Sequence, residues 1–348
     1  EDGERVLYSS SLNEVEHCIK SGQPLASFEK PGPKEFIYFE PAKTKVAIVT
    51  CGGLCPGLNN VIRGLVTHLW HRYGVTNILG IQYGYAGLNP DNKIPFVNLD
   101  PDLVDDIHKD GGSMLGSSRG DQPADVIVDT LERNNINILF CVGGDGTLKG
   151  AHTIYQEITR RGLKIVVAGV PKTIDNDLWG TDVTFGFQSA INLATQTIDC
   201  IHTTAASHGR VFIVEIMGHK VGWLTLHAGI AGGADIILVP EIPYDINKVA
   251  AAVNKRAKEG KRFSIIAVAE GAISKEQAAL SKKEYKKYIA TRQYPSISYE
   301  IGAKISELTG QEVRVAVPGH MQRGGSPCPY DRVLSTRLGA AAGKMILD

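Results

Sequence analysis

At 348 residues the chain exceeds one typical core of about 100 to 150 residues, so two domains are expected. Hydrophobic residues make up 43% and charged residues 21%, a globular balance that excludes disorder, coiled coil and collagen-like structure. Its 37 basic and 37 acidic residues cancel, leaving no net charge to draw nucleic acid or an anionic membrane, so any anion must be met locally.

Residues 28–41 hold three prolines, which predicts an extended N-terminal arm over 1–44 that lies on a neighbouring surface. Residues 45–50 read as a buried strand, Gly52 to Gly57 as a turn, and 58–73 as a helix with Leu58, Ile62, Leu65 and Leu69 on one face. Short apolar runs at 77–81, 136–142 and 164–170 alternate with helical patterns, as in a parallel sheet covered on both faces. A boundary is placed at 182–188, with a helix over 189–202 leading into a second lobe. There, strands at 211–216, 235–239 and 263–269 alternate with helices at 221–231 and 246–258. The polar, Lys-rich stretch 274–294 reads as a mobile, solvated surface element, and no internal repeat is found. The fold class is therefore α/β, with two Rossmann-like lobes and mainly parallel sheets.

No apolar run approaches the roughly 20 residues needed to span a bilayer. The opening Glu1-Asp2-Gly3-Glu4-Arg5 lacks the basic and apolar regions of a secretory signal. Six sparse cysteines, with no second pair at zinc-finger spacing, read as reduced thiols in a cytoplasm.

Four turns in the first half carry the chemistry: Gly52-Gly53, Gly111-Gly112 through Gly116, Gly143-Gly144-Asp145-Gly146-Thr147, and Pro171-Lys172-Thr173. Glycine lets backbone N–H groups approach a phosphate, and a following helix offers its positive end. Any one could be a plain tight turn; four together point to a polyphosphate. Neither the dinucleotide G-x-G-x-x-G nor the P-loop G-x-x-x-x-G-K-[ST] occurs, which sets aside a Rossmann oxidoreductase. An acidic residue inside a phosphate turn suits Mg²⁺ carried by the phosphates, so Asp145 is assigned to the metal; an Asx turn is the plainer reading. In Thr173-Ile174-Asp175-Asn176-Asp177, a carboxylate aimed at a hydroxyl can accept its proton while Lys172 neutralises charge on the transferring group. Asp-Asn-Asp alone is also a common loop composition. Arg314 on an expected strand, with Gly319-His320-Met321-Gln322-Arg323-Gly324-Gly325 after it, makes a second anion pocket suited to a phosphosugar. Arg119 and Arg210 are further candidates, or surface ion-pair partners.

From about Lys45 onward the chain resembles the 6-phosphofructokinase family, with motifs closest to its ATP-dependent plant and trypanosomatid members. The likeness rests on Gly52-Gly53 with Pro56-Gly57-Leu58-Asn59, Gly143 to Thr147, Pro171 to Asp177, Met217-Gly218, Glu270-Gly271 and Gly319 to Gly325. It implies two lobes with the active site in the cleft between them and transfer of a phosphoryl group to the 1-hydroxyl of fructose 6-phosphate, with Asp175 as base, Asp145 as Mg²⁺ ligand, and Lys172 and Thr173 on the transferred phosphoryl. It further implies a donor-binding lobe over 45–187 with Gly53, Arg119, Gly120, Gly144, Gly146 and Thr147 on the donor. A sugar-phosphate lobe over 188–348 would supply Met217, Gly218, His219, Glu270, His320 and Arg323, joined by Thr173, Asp175 and Asp177. Arg210 and Arg314 match residues lent across a subunit interface, so a homodimer or homotetramer is expected.

Two positions bear on the donor. Pyrophosphate users of the family usually carry Asp where this chain has Gly146, and that carboxylate would repel an α-phosphate; Lys172, by contrast, occurs in pyrophosphate users and in some ATP users. ATP is the expected donor and pyrophosphate the alternative. The resemblance also shows two departures: His219 stands where the family usually has Arg, and members usually continue beyond the position of Asp348. NAD and lipid kinases share Gly-Gly-Asp-Gly-Thr but lack the 173–177 and 320–325 sets, and a phosphosugar-binding regulatory subunit would lack Asp145 or Asp175, both present here.

Overall fold

The computed structural model describes residues 4–30 and 38–347. The first lobe is a sheet in the order β5-β4-β3-β6-β7, built from β3 (Lys45–Thr50), β4 (Asn77–Ile81), β5 (Val97–Asn98), β6 (Ile138–Gly143) and β7 (Val166–Pro171). All neighbours are parallel except β5, which runs antiparallel to β4 at the edge. The second lobe orders its strands β11-β8-β10-β9, all parallel: β8 (Val211–Ile216), β9 (Ile236–Leu238), β10 (Ser264–Ala269) and β11 (Val313–Ala316).

These strands are continuous hydrophobic runs because both faces of each sheet are covered. In β6, Phe140 and Val142 join the cluster on one face while Leu139 and Cys141 join the other. The first cluster runs from Ile48 and Phe140 through Ile198 to Phe212 and Ala267, so one core lies beneath both lobes. Its bridging helix is α5 (Phe187–His208), which begins close to the expected boundary and extends further than the expected 189–202. Helix α2 (Leu58–His68) packs the expected Leu58, Ile62 and Leu65 inward and ends in one π-helical turn, Leu69–Tyr73. The first sheet is further flanked by α3 (Ala124–Arg133) and α4 (Asp145–Arg161), the second by α6 (Trp223–Ala231), α7 (Ile246–Lys258) and α10 (Ile297–Thr309).

Two segments differ from the sequence reading. The N-terminal residues, expected as an extended arm, contain α1 (Leu12–Ser21) between two short antiparallel strands, β1 (Arg5–Leu7) and β2 (Ser27–Glu29). Two of the prolines behind that expectation, Pro31 and Pro33, lie outside the described residues. The Lys-rich stretch holds α8 (Lys275–Ala278) and α9 (Lys282–Thr291), each opened by a capping box, at Ser274/Gln277 and Ser281/Glu284. Helix α9 buries no residue, as a solvated face should, yet Tyr288 is tied down by Gln277 at 2.9 Å and by the buried Glu300.

The last helix, α11 (Pro329–Leu347), returns from the second lobe to lie along α2 of the first, its close approach requiring glycine on both sides. A Cβ at Gly64 would stand 2.7 Å from the Thr336 carbonyl oxygen, and one at Gly339 would stand 2.5 Å from that of Val61. No described helix is long and apolar enough to cross a membrane. Gly339→Ala should lower stability by about 1–3 kcal/mol despite the better helix propensity of alanine, because the contact is to backbone that cannot step aside. A fall in the denaturant midpoint at unchanged slope would show it.

Candidate active site

In the first lobe the chain leaves β3 to build β4 on one side and then crosses to β6 on the other, so a topological switch point opens between the carboxyl ends of β3 and β6. The Cys51 to Gly57 turn follows β3, and the Gly144 to Thr147 turn opens α4 directly after β6. The loop 172–178 follows β7 alongside. From the second lobe, the loops after β8 (Met217 to His219), β10 (Glu270-Gly271) and β11 (Gly319 to Arg323, a 3-10 turn) face these. Between them lies a cleft of about 440 Å³ lined by Gly53, Arg119, Gly120, Gly144, Asp145, Gly146, Thr147, Lys172, Thr173, Asp175, Asp177, His219 and Arg323.

The charged groups at its floor are buried. Lys172 is 3% exposed and its Nζ donates to the Gly53 carbonyl at 2.6 Å. Burial, foremost, lowers its pKa from the ordinary lysine value, with the Arg323 charge pushing the same way and Asp175 opposing. Asp175 is 7% exposed; its Oδ2 lies 4.0 Å from Arg323 Nη2, and its Oδ1 has no hydrogen-bond partner among the described residues. Burial raises its pKa above the ordinary aspartate value, against the lowering effect of Arg323. The loop is shaped by its own side chains: Thr173 Oγ1 accepts the Asp175 N–H at 3.1 Å and donates to Asp177 Oδ1 at 3.1 Å. Asn176 takes a left-handed φ of 56°, with its Oδ1 accepting the Thr184 N–H at 2.8 Å.

Gly53 explains itself by crowding. A Cβ there would stand 2.9 Å from Arg323 Nη1 and 3.7 Å from Arg119 Nη2, so two guanidinium groups from different lobes converge over one glycine. Such a pair, backed by the N-terminus of α4, suits phosphate oxygens. Asp145 stands exposed in the first turn of α4 with no hydrogen-bond or ion-pair partner among the described residues. One free carboxylate beside a phosphate cradle fits Mg²⁺ delivered on phosphates, which needs only one or two protein oxygens. No cluster of three or more ligating side chains exists among the described residues, so an all-protein metal cage is not built here.

In the second lobe, Glu270 accepts the N–H groups of Gly218 at 3.2 Å and of His219 at 2.6 Å, holding His219 at a left-handed φ of 52°. His320 lies with Arg119, Arg323 and Gly53 around an adjoining cavity of about 610 Å³. His219 and Glu270 border a further cleft of about 590 Å³ roofed by α9. Met217 packs against the core rather than lining the central cleft, and its N–H is bound at 3.0 Å by Gln322, which is fully buried.

Arg210 and Arg314 do not reach their own chain's cleft. Arg210 pairs with Glu312 at 2.6 Å, and Arg314, on the edge strand β11, pairs with the same carboxylate. The sequence reading also missed Tyr85, whose hydroxyl donates to the Thr147 carbonyl at 2.8 Å and braces the turn that opens α4, along with Cys51 and Ser118 in the lining. Only their burial beside the turn marks them, and no spacing signals that. All six cysteines are free, and burial pushes Cys51, Cys55 and Cys141 up to about 12, which makes them poor nucleophiles.

Two α/β lobes with phosphate-binding turns meeting over buried acid and base define a phosphoryl-handling protein. The phosphofructokinase profile matches residues 45–346, and the chain belongs to the phosphofructokinase family. An "ATP-dependent 6-phosphofructokinase" of Spirochaeta thermophila is 45% identical over 322 residues, 88% of this chain and 85% of that protein. One of the same description from Entamoeba histolytica is 49% identical over 251 residues, covering 72% of this chain and 57% of that one. Among solved structures, the T-state phosphofructokinase of Pichia pastoris superposes with a TM-score of 0.74 at 30% identity, over 92% of this chain and 34% of that one.

The raised pKa of Asp175 has a consequence for stability. The folded chain holds this proton more tightly than the unfolded chain, so the group's contribution is full below the ordinary value of 3.8 and is lost as pH rises through the folded-state pKa. Asp175→Asn, neutral throughout, should therefore melt about 1–4 °C higher than the parent at pH 7. The gain should shrink as pH falls toward 3.8, which thermal melts across pH would show.

Proposed function

We propose that this chain transfers the terminal phosphoryl group of Mg-ATP to the 1-hydroxyl of fructose 6-phosphate, giving fructose 1,6-bisphosphate and ADP. The observation that carries the reading is Asp175: a buried carboxylate with one unpartnered oxygen, set between the phosphate turn of α4 and the sugar-side loops. A carboxylate whose pKa is raised by burial accepts a proton more readily, as a base for a sugar hydroxyl should.

In this mechanism the first lobe binds the donor and the loops of the second bind the sugar phosphate. Backbone N–H groups of Gly144 to Thr147, with Arg119 and Gly53, cradle the donor phosphates. Asp145 would hold a Mg²⁺ carried by those phosphates, and the ion would supply charge that offsets theirs. As the sugar oxygen bonds to phosphorus and the bond to the leaving phosphate breaks, Asp175 takes the hydroxyl proton. Lys172 and Thr173 stabilise the transferring group, and Arg323 supports the charge that moves across the cleft. Asp177, Gly218, His219, Glu270 and His320 orient the sugar, with Met217 backing their loop from the core side. Arg210 and Arg314, paired on the surface instead of in their own cleft, serve the 6-phosphate of a partner copy in a homodimer or homotetramer. A reducing cytoplasm suits six free thiols.

A second reading, pyrophosphate as donor, draws on Lys172, whose buried ammonium adds positive charge at the donor end. Gly146 supports ATP: a Cβ there meets nothing within 4 Å, so the turn leaves open space where a nucleotide's α-phosphate would pass. Initial rates of fructose 1,6-bisphosphate formation with ATP and with pyrophosphate, side by side, test the two. Turnover with pyrophosphate alone would reverse the choice, and silence with both would leave a phosphosugar-binding regulatory subunit.

Asp175→Ser should lower kcat by about 10²–10⁴ while the sugar KM stays within about threefold, because the base acts in the transition state. Gly146→Asp should fold normally, given the open space, and lose at least about tenfold in kcat/KM for ATP through repulsion of the α-phosphate. Steady-state kinetics with a melting control check both.

A further inference from the structure

The N-terminal unit formed by β1, α1 and β2 makes a contact that the reaction scheme leaves unused. It is tied internally: Arg5 donates to Ser27 Oγ at 2.9 Å, and Lys30 pairs with Glu4 at 3.0 Å. Phe28 of β2 meets Tyr8 edge-on, ring centroids 5.8 Å apart at 73°. Tyr8 in turn stacks on the indole of Trp179 at 5.0 Å and 28°, and the Phe28 ring comes within 3.5 Å of where a Cβ on Gly180 would stand. Both geometries are preferred aromatic arrangements.

Trp179 and Gly180 belong to the loop that carries Asp175 and Asp177. On its inner side the loop is held by Asn176 and Thr184 and by Leu178, which is buried against the cleft. Its outer side is different: Trp179 is 76% exposed even with Tyr8 upon it, so the indole is not core filling for the loop itself. A large ring presented outward gains a function if something grips it.

We propose that the N-terminal hairpin clamps this loop, and that Tyr8, Phe28 and Trp179 are positioning residues for the Asp175 carboxylate. The proposal rests on Asp175 being the base. Releasing the clamp lets the loop drift while leaving the phosphate turns and sugar loops in place, so the chemical step suffers more than binding.

The test is a double-mutant cycle in the full chain with Tyr8→Ala, Trp179→Ala and their combination, with Tyr8→Phe and Asp175→Ser alongside. Each alanine variant should lower kcat about five- to tenfold with the sugar KM within about twofold. The double variant should be no slower than the worse single, because both remove one contact. Tyr8→Phe should keep the parental kcat, since the ring and not the hydroxyl makes the stack. Parental kcat in Tyr8→Ala, a lower melting temperature without loss of kcat, or additive losses would each overturn the clamp. If Asp175→Ser abolishes turnover while Tyr8→Ala does not alter it, the clamp alone fails; if Asp175→Ser turns over normally, the base assignment fails and the clamp with it.

Discussion

Arg323 reaches from the loop after β11 into the first lobe, where its guanidinium lies 4.0 Å from Asp175, 3.4 Å from the Leu54 carbonyl and against Gly53. Most of the site depends on that crossing. Buried Asp175 and buried Lys172 would be costly in isolation, and the guanidinium between them and the second lobe lowers the cost of the carboxylate while raising that of the ammonium. The Gly53 carbonyl, which accepts from Lys172, gives the ammonium its own partner. Three charges are thereby gathered at the floor of one cleft, where they can act together on a transferring phosphoryl group.

Around this centre, buried polar side chains fasten the loops that bear the reactive groups. Asp331, fully buried at the start of α11, accepts both the N–H of Ser189 at 2.7 Å and its hydroxyl at 2.6 Å, binding the N-terminus of α5 to that of α11. Gln322 holds Met217, and Asn176 holds Thr184. Glu215, in the middle of the second sheet, accepts the Ser298 N–H at 3.1 Å and the Ser296 hydroxyl, fixing the start of α10. Asp331, Gln322 and Glu215 are side chains buried for their hydrogen bonds, and with the half-buried Asn176 they hold these segments in place.

Much of the fold was legible because its strands are buried on both faces. Continuous apolar runs such as 45–50 and 211–216 allow little else, and they mark β3 and β8 directly. The N-terminal unit was misread: prolines in the neighbouring run suggested extension, although Leu12, Val15 and Ile19 of α1 stand at helical spacing. Among site residues, Asp145, Lys172, Thr173, Asp175 and Arg323 stand out in sequence because glycine-rich turns and dense charge cannot be explained by packing, and all five line one cleft. Tyr85 and Gln322 carried no such mark, since a buried tyrosine or glutamine gains its meaning from the partner it meets.

By itself the sequence determined the buried strands of both sheets, which turns can approach a phosphate, and which residue types can carry acid, base and metal chemistry. These follow from local periodicity and side-chain chemistry. Only the tertiary structure decided that Arg119 and Arg323 converge over Gly53, that Arg210 and Arg314 pair with Glu312, and that the N-terminal unit lies against Trp179. Those are contacts between parts of the chain far apart in sequence, set by how whole lobes pack, and no local pattern encodes them.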